Sequence, residues 1–452
     1  MIDLTGTAPA CVNPVNNESN PGVPWPTGGN PVYPFSGPYL CNGKLYVLTS
    51  ASLSLASTDP NYGKAQFWKS ADGGYSWTAL PVDPVTPAAG SEWQNQEIYY
   101  WDIVNNTVTF LLRQHDILVD FDLNTETWGP HYGSSTQQII TGNGTRIVRL
   151  SDGRIRAFYS YSPDGGTTWE FCWAIAAAGG AWTSINNGMT SVANPANTPA
   201  CIAACIDSAD SAYAVFINAS HTAAQYSEVS VTSSNAVSAI TTIPGITVGA
   251  YPQNAMNLMA GADGQLYFAG ILAGTSHRTV DVWIGSSTGW VHETVTDYGT
   301  ATGAPAPYLS YVTWVDGYAT MVWLTIYTPG THFPNYPDGQ NKILVSQRIG
   351  VGSWTAPGTY LDLTVTQPPA PLEPYDAWTA PTPGTNWWCW SLSAFPVASL
   401  PQGLGLAVAL GTIAGDGSYG NMAFIYGPCS PVLKDNYIAM GDALIAARRF
   451  IA

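Results

Sequence analysis

The chain has 452 residues, of which 46% are hydrophobic and only 10% charged, and its formal net charge is −16. Because 30 acidic residues face 14 Lys and Arg, a phosphate backbone would be repelled, and no nucleic-acid partner is expected. No apolar run of about eighteen residues or more occurs, so we expect no membrane insertion. The surface therefore has to be built largely from Ser, Thr, Asn, Gln, Gly and Tyr, which suits contact with sugars or with other proteins.

Residues 1–37 are rich in Pro, Asn and Gly and show no hydrophobic period. This composition predicts an extended arm that lies across the rest of the chain or reaches a neighbouring subunit. Met1 leads into a polar stretch instead of a basic region followed by an apolar one. The sequence thus predicts no signal peptide and synthesis in the cytoplasm.

Residues 38–429 repeat one pattern: an alternating apolar strand, a tight turn, a second strand and a Trp-bearing edge. Asn-Gly or Asp-Gly pairs mark this turn in four segments, at residues 42–43, 152–153, 263–264 and 316–317. The pattern recurs at residues 38–77, 97–128, 144–182, 201–243, 256–290, 307–354 and 387–426. Seven such segments predict seven small sheets, with six as the alternative.

Two stretches within these segments are near copies, each reading S-x-D-x-G-x-[S/T]-W. Their defining residues are Ser70, Asp72, Gly74 and Trp77, and Ser162, Asp164, Gly166 and Trp169. The Asp carboxylate is suited to accept hydrogen bonds from N–H groups of its own turn, and the Trp to begin the next strand. The two aspartates lie roughly 92 residues apart, which is two steps of about 46 in the range of known propeller blades.

This motif is similar to the Asp-box, or bacterial neuraminidase repeat, so the chain resembles the sialidase-like β-propellers. The resemblance implies an all-β propeller in which the Asp-box is a structural turn at the rim. Closure of a propeller usually requires one terminus to complete the sheet begun by the other, and the sequence does not locate that join.

The resemblance also implies where a sialidase site would lie. Tyr308 falls in a segment that is similar to the one carrying the family's catalytic tyrosine. The family grips its substrate carboxylate with three arginines, the first in an Arg-Ile-Pro motif on the opening strand. Here that strand reads Gly-Pro-Tyr-Leu-Cys over residues 37–41, and four of the nine arginines cluster between Arg146 and Arg156. Sialidase activity is therefore not expected.

Other carbohydrate chemistry needs two carboxylates across a pocket. Arg113, His115 and Asp116 form the one place where a guanidinium, an imidazole and a carboxylate adjoin in sequence, and they are the candidate catalytic residues alongside Tyr308. A rim salt bridge is the alternative interpretation. No motif predicts a metal site or a cofactor.

Aromatic residues supply candidate binding surfaces, in particular Trp101, Trp314, Trp388 and Trp390. Alternate members of a strand face opposite sides, so about half of each cluster belongs to the core. The seven scattered cysteines contain no Cys-x-x-Cys pair, which favours buried thiols, with a Cys11–Cys41 bridge left open.

Residues 430–452 predict an amphipathic helix, with six apolar residues stepping by four and three from Leu433 to Ile451. The helix either docks on the propeller or joins another subunit. Together these features predict a non-catalytic module that presents a glycan- or protein-binding surface within a larger assembly such as a phage virion surface. An exo-acting glycoside hydrolase or lyase is the alternative.

Overall fold

The computed structural model contains only β-strands, turns and loops in the part of the chain that it describes. That part comprises residues 11–15, 36–42, 44–50, 56, 58–62, 64–71, 78–84, 99–102, 105–112, 117–133, 145–164, 167–193, 200–217, 226–245, 257–271, 279–286, 288–299, 306–315, 317–326, 342–362, 386–396, 404–413 and 422–425. The predicted helix over 430–452 lies outside these residues and stays a prediction. Within the described ranges, no helix is long and apolar enough to cross a membrane.

Seven antiparallel sheets follow one another along the chain, most of them built from four strands. The first strand of the chain, β1 (Cys11–Val15), belongs to the last sheet. The first sheet contains β2 (Ser36–Cys41), β3 (Lys44–Ser50), β4 (Ala65–Ser70) and β5 (Thr78–Ala79). The second contains β6 (Tyr99–Asp102), β7 (Thr107–Leu112), β8 (Ile117–Asp122) and β9 (Thr127–Tyr132). The third contains β10 (Arg146–Arg149), β11 (Ile155–Tyr161), β12 (Thr168–Ala176) and β13 (Trp182–Ala193).

The remaining sheets keep the same order. The fourth contains β14 (Ala200–Ile206), β15 (Ala212–Ile217), β16 (Tyr226–Val231) and β17 (Thr241–Ile243). The fifth contains β18 (Asn257–Ala260), β19 (Leu266–Ile271), β20 (Thr279–Ser286) and β21 (Gly289–Asp297). The sixth contains β22 (Ala306–Val315), β23 (Tyr318–Ile326), β24 (Lys342–Gly350), β25 (Ser353–Trp354) and β26 (Gly358–Asp362). The seventh contains β27 (Asn386–Pro396), β28 (Leu404–Ile413), β29 (Met422–Ile425) and β1.

A succession of four-stranded antiparallel meanders is the architecture of a β-propeller, and the predicted fold class is confirmed. Each predicted segment overlaps one sheet, although β5 and β26 lie beyond the predicted ends and β9, β13 and β21 extend past them. The number of blades in a closed ring stays a prediction. By its internal contacts the chain divides into two compact units, one with most of the first, sixth and seventh sheets and one with the second to fifth.

The N-terminal strand β1 pairs with β29, near the C-terminal end of the described chain. This is the pairing between the two ends of the chain that the sequence did not locate. Cys11 pairs with Ile425 and Val12 with Phe424, so the N-terminal strand is the outermost strand of the seventh sheet. Such a strand satisfies the backbone N–H and C=O groups that the edge of β29 would otherwise expose. Residues 1–37 were predicted as an extended arm outside the repeats. Within them, residues 11–15 belong to β1 and residues 36–37 to β2. The other domain boundaries stay predictions.

The turn between the first two strands repeats from sheet to sheet. One residue of this turn has a positive φ in six sheets, namely Asn42, Asn106, Gly153, Asp210, Gly264 and Gly317. Gly, Asn and Asp are the residues that adopt this conformation most readily. An aspartate one position earlier fastens two of the turns: Asp152 accepts from the Arg154 N–H at 3.0 Å and Asp263 from the Gln265 N–H at 3.1 Å. The predicted place of the Asp-Gly and Asn-Gly turns is therefore confirmed.

Consecutive sheets in the second unit pack face to face through apolar side chains. The second and third sheets share a core that includes Leu118, Tyr132, Ile155 and Cys172. Between the third and fourth sheets, the rings of Phe171 and Phe216 stack at 4.3 Å. Burial of this kind is the main favourable contribution to folding.

The side chain of Asn257 pairs with the backbone of Val312 in the same way as a neighbouring strand would. Its Nδ2 donates to the Val312 carbonyl and its Oδ1 accepts from the Val312 N–H, both at 2.7 Å. Asn257→Ala is expected to lower the free energy of unfolding by about 2 kcal/mol, because both backbone groups of the buried Val312 lose their partner. Urea titration followed by far-UV circular dichroism measures this. Asn124→Ala, at an exposed side chain, is the control; an equal loss in both variants would contradict the prediction.

Candidate functional site

The Asp164 carboxylate closes the turn of the second near-copy motif. Its Oδ1 accepts hydrogen bonds from the backbone N–H groups of Thr167 at 3.0 Å and Thr168 at 2.7 Å, and from the Ser162 hydroxyl at 3.1 Å. The Thr168 backbone N–H makes the largest contribution to the lowered pKa of Asp164. Trp169, partly buried, lies on β12 directly after the turn. The Asp164 carboxylate therefore has a structural role, because it accepts hydrogen bonds from residues of its own turn.

The two near-copy motifs lie at different turns of their sheets. The spacing between Asp72 and Asp164 therefore does not equal the two repeats of one blade that the sequence predicted. The turn with Asp72 joins β4 and β5, the third and fourth strands of the first sheet. The turn with Asp164 joins β11 and β12, the second and third strands of the third sheet. Successive turns of a meander alternate between its two ends, so the motifs lie at opposite ends of their sheets. Of the first motif, Asp72, Gly74 and Trp77 lie outside the described residues, as does Gly166 of the second; Ser70 ends β4.

Arg149 lies in a buried polar cluster between the second and third sheets. Its guanidinium contacts the Asp120 Oδ1 at 2.6 Å, the Tyr132 hydroxyl at 2.9 Å and the Thr109 hydroxyl. Asp120 also accepts from the hydroxyls of Thr109 at 2.5 Å and Tyr132 at 2.8 Å. Burial opposes the charge on Arg149, but Asp120 and Tyr132 outweigh it and raise the arginine pKa. Burial, assisted by Asp120, raises the pKa of Tyr132 to about 12.

The other three arginines of the third sheet point to separate partners. Arg146 donates to the Ile202 carbonyl at 3.0 Å, and Arg154 contacts the Asp152 carboxylate at 2.6 Å. The fully buried Arg156 donates to the carbonyls of Val231 at 2.7 Å and Thr232 at 3.3 Å and to Asn235 Oδ1 at 2.8 Å. Its guanidinium also lies 5.2 Å from the centre of the Trp173 ring, and burial lowers its pKa to about 10. The four clustered arginines thus stabilise contacts between sheets and within turns. Their guanidinium groups do not point together at one place where a substrate carboxylate could bind.

The structure does not describe the side chains of most predicted site residues. Arg113, His115 and Asp116 lie in the connection between β7 and β8, and none of the three is described. Tyr308 is placed by its backbone on β22, Trp101 on β6 and Trp388 and Trp390 on β27. Trp314 lies near the end of β22 and is partly buried. These residues remain candidates.

The interface between the fourth and fifth sheets holds a polar cluster that the sequence analysis missed. The carboxylate of Asp281 is fully buried, and its Oδ1 lies 2.7 Å from His292 Nε2 and accepts from the Thr294 hydroxyl at 3.0 Å. Its Oδ2 accepts from the Thr279 hydroxyl at 2.5 Å. The His292 side chain is 36% exposed, and its ring stacks on Trp283 at 5.0 Å. Asp281 and Trp283 together fix the orientation of this imidazole.

Glu228 is the second acidic group at this interface. It lies on β16, is 8% exposed, and its carboxyl forms hydrogen bonds with Thr241 and with Trp290 of the fifth sheet. Burial raises the pKa of Glu228 to about 7, although both hydrogen bonds act in the opposite direction. Burial likewise raises the pKa of the neighbouring Cys205 thiol, with smaller contributions from Asp207 and Glu228. Burial therefore favours the neutral form of this carboxyl.

A signal for these groups exists in the sequence. Asp120, Asp281 and Glu228 each stand inside a strand whose residues on both faces are mostly buried, as in Thr-Val-Asp-Val-Trp over residues 279–283. An acidic residue in such a strand has to find hydrogen-bond donors, because an unpaired buried charge is strongly unfavourable. In the described ranges, no three His, Cys, Asp or Glu side chains are placed to hold a metal ion. Cys172, Cys201 and Cys205 are free thiols there.

Comparison with known proteins finds structural likeness only. No protein-family model matches the chain, and no curated protein matches it either. A mutant of the Aleuria aurantia lectin in complex with alpha-methyl-L-fucoside is 14% identical over 72% of this chain and 93% of the lectin, with a TM-score of 0.38. The Trypanosoma rangeli sialidase in complex with sialic acid is 10% identical over 95% of this chain and 60% of its own, with a TM-score of 0.42. The Penicillium chrysogenum alpha-L-arabinanase complexed with arabinobiose is 14% identical over 71% and 94%, with a TM-score of 0.38.

Proposed function

We propose that this chain is a carbohydrate-binding β-propeller of sialidase-like architecture without sialidase activity. The observation that carries the proposal is that the clustered arginines bind separate structural partners. This applies to Arg146, Arg149, Arg154 and Arg156. They are therefore not available together to grip a substrate carboxylate. The composition supports a glycan ligand, since a chain with 10% charged residues and 18 Trp favours stacking and neutral hydrogen bonds.

We place the binding surface in the unit that contains the first, sixth and seventh sheets, at the end of these sheets where the long connections lie. The turns from first to second strand are short, for example 42–43 and 316–317, whereas the connections at the other end include 80–98, 327–341 and 363–385. Binding residues in all-β folds concentrate on such loops. Trp388 lies near the start of β27, at the long-connection end, and Trp314 lies near the end of β22, at the short-turn end.

A glycan array probed with the full chain tests the proposal, followed by affinity measurements on any glycan that is retained. Trp388→Ala is expected to weaken binding about tenfold or more, as for a stacking anchor, and Trp314→Ala to leave it unchanged. The absence of binding to every glycan, or equal losses in both variants, would contradict the proposal.

A glycoside hydrolase or lyase is the second candidate, because Arg113, His115 and Asp116 lie in the connection from the second to the third strand, at the long-connection end. Incubation with chromogenic glycosides and sialosides separates the two functions. Turnover that is lost in His115→Ala and Asp116→Ala would establish the enzyme, and binding without turnover would establish the module.

We also propose that the protein works as a subunit of a larger assembly, such as a virion surface, through residues 1–37 and the predicted helix over 430–452. The low charge and the proline-rich N-terminal segment support this proposal. Size-exclusion chromatography of the chain with and without residues 430–452 tests the helix. An unchanged oligomeric state would show that the helix is not used for assembly.

A further inference from the structure

Glu228 occupies the contact between two sheets. It lies on the third strand of the fourth sheet, and its carboxyl bonds to Thr241 of the same sheet and to Trp290 on the outermost strand of the fifth. The apolar part of this interface includes Tyr226, Phe268 and Trp283, with Trp290 packed against it. The state of this carboxyl therefore affects how the two sheets hold together.

Among the described residues, the environment of Glu228 offers little compensation for a negative charge. The titratable groups around it are Cys205, Asp207, Tyr213, Tyr226, Asp281 and His292, and the strands of the fifth sheet also carry Tyr267, Glu293 and Asp297. His292 alone among these can carry a positive charge, and its Nε2 is bonded to Asp281. In the described part of the chain, the donors to an ionised Glu228 are the neutral side chains of Thr241 and Trp290.

We propose that the contact between the fourth and fifth sheets is pH-sensitive, tightening when Glu228 takes up a proton and loosening when it releases it. The neutral carboxyl keeps hydrogen bonds to Thr241 and Trp290 without placing a charge between two apolar faces. The ionised carboxyl has to be desolvated in the same place, which favours opening of the sheets to water. Acidic conditions thus favour the closed contact.

The raised pKa fixes the pH range of this effect. An unfolded chain releases the Glu228 proton around pH 4.5, whereas the folded chain holds it until about pH 7. Between these values the folded state binds more protons, so its stability falls as the pH rises and is constant above about pH 7. His292 lies 2.7 Å from Asp281 in the same region, which makes a His292 variant a necessary control.

Hydrogen exchange of the amides in β16 and β21, corrected for the intrinsic pH dependence, measures the opening directly. The wild type is expected to open on the order of a hundredfold more at pH 8 than at pH 5. Glu228→Gln should remove most of this dependence while retaining protection, and His292→Gln should keep it. A Glu228→Gln protein with the full pH dependence would overturn the inference.

A second measurement detects the titration in the wild-type protein and uses the variant only for assignment. The chain contains eight glutamates, so carboxyl ¹³C labelling of glutamate gives a small set of resonances in the wild-type protein. One of them is expected to titrate with a midpoint near pH 7, and its absence from the Glu228→Gln spectrum assigns it. If all eight titrate near pH 4.5, the inference is wrong.

Discussion

Replacement of Arg149 by alanine is expected to lower the free energy of unfolding by about 3–5 kcal/mol. The side chains of Arg149 and Asp120 are only 10% and 6% exposed, and their charged atoms lie 2.6 Å apart. Removal of the guanidinium leaves Asp120 as a buried carboxylate that keeps only the hydroxyls of Thr109 and Tyr132. Urea titration followed by far-UV circular dichroism measures the loss.

Arg154→Ala is the matched control for this prediction. Arg154 belongs to the same region of the third sheet and also lies 2.6 Å from an aspartate, but its side chain is 39% exposed and that of Asp152 is 48% exposed. Water compensates an exposed pair, so we expect a loss of at most about 1 kcal/mol. A double variant with Arg149→Met and Asp120→Asn should recover part of the stability, because no buried charge is left alone. Equal losses in the two single variants would show that burial does not set the strength of the Arg149 pair.

The fold class was predictable because its signals are local. Alternating apolar strands and Asn-Gly or Asp-Gly turns lie within a few residues of each other, and each of the seven predicted segments overlaps one sheet. The pairing of β1 with β29 joins the two ends of the described chain and has no local signal. β1 also contains Pro14 and lies in a proline-rich segment, a composition that usually predicts an edge strand or no strand at all.

The residues of the near-copy motifs determine the shape of each turn but not its position in the sheet. The hydrogen bonds of Asp164 depend only on the residues of its own turn, Ser162 to Thr168. Nothing in those residues specifies whether the turn follows the second or the third strand of a sheet. The spacing between Asp72 and Asp164 therefore indicated a repeat period that the strand order does not support.

The polar clusters were not predictable from sequence spacing, because their members come from different sheets or from strands that pair only in the folded chain. Arg149 and Asp120 meet across two sheets, and Asp281 meets His292 across a strand pair with a register shift. An acidic residue within an apolar strand indicates that such a partner exists. It does not indicate which residue the partner is.

Replacement of Trp283 by alanine is expected to lower the free energy of unfolding by about 3–5 kcal/mol, as for other fully buried aromatic side chains. Trp283 is 1% exposed, packs against Phe268 and supports the ring of His292. Its indole N–H donates to the Pro244 carbonyl at 2.9 Å, beyond the end of β17, so the residue joins the fifth sheet to the fourth. Its removal both opens a cavity and leaves that carbonyl without this donor.

Two variants separate these contributions. Trp283→Phe keeps most of the buried ring and loses the hydrogen bond to Pro244, so we expect a smaller loss of about 1–2 kcal/mol. Val291→Ala, at a residue that is 59% exposed on the adjacent strand, should change the stability by less than about 0.5 kcal/mol. Because Trp283 also fixes the imidazole of His292, Trp283→Ala should increase hydrogen exchange in β20 and β21 more than in β10 and β11. Equal increases in both pairs of strands would show that the interface between the fourth and fifth sheets does not open independently.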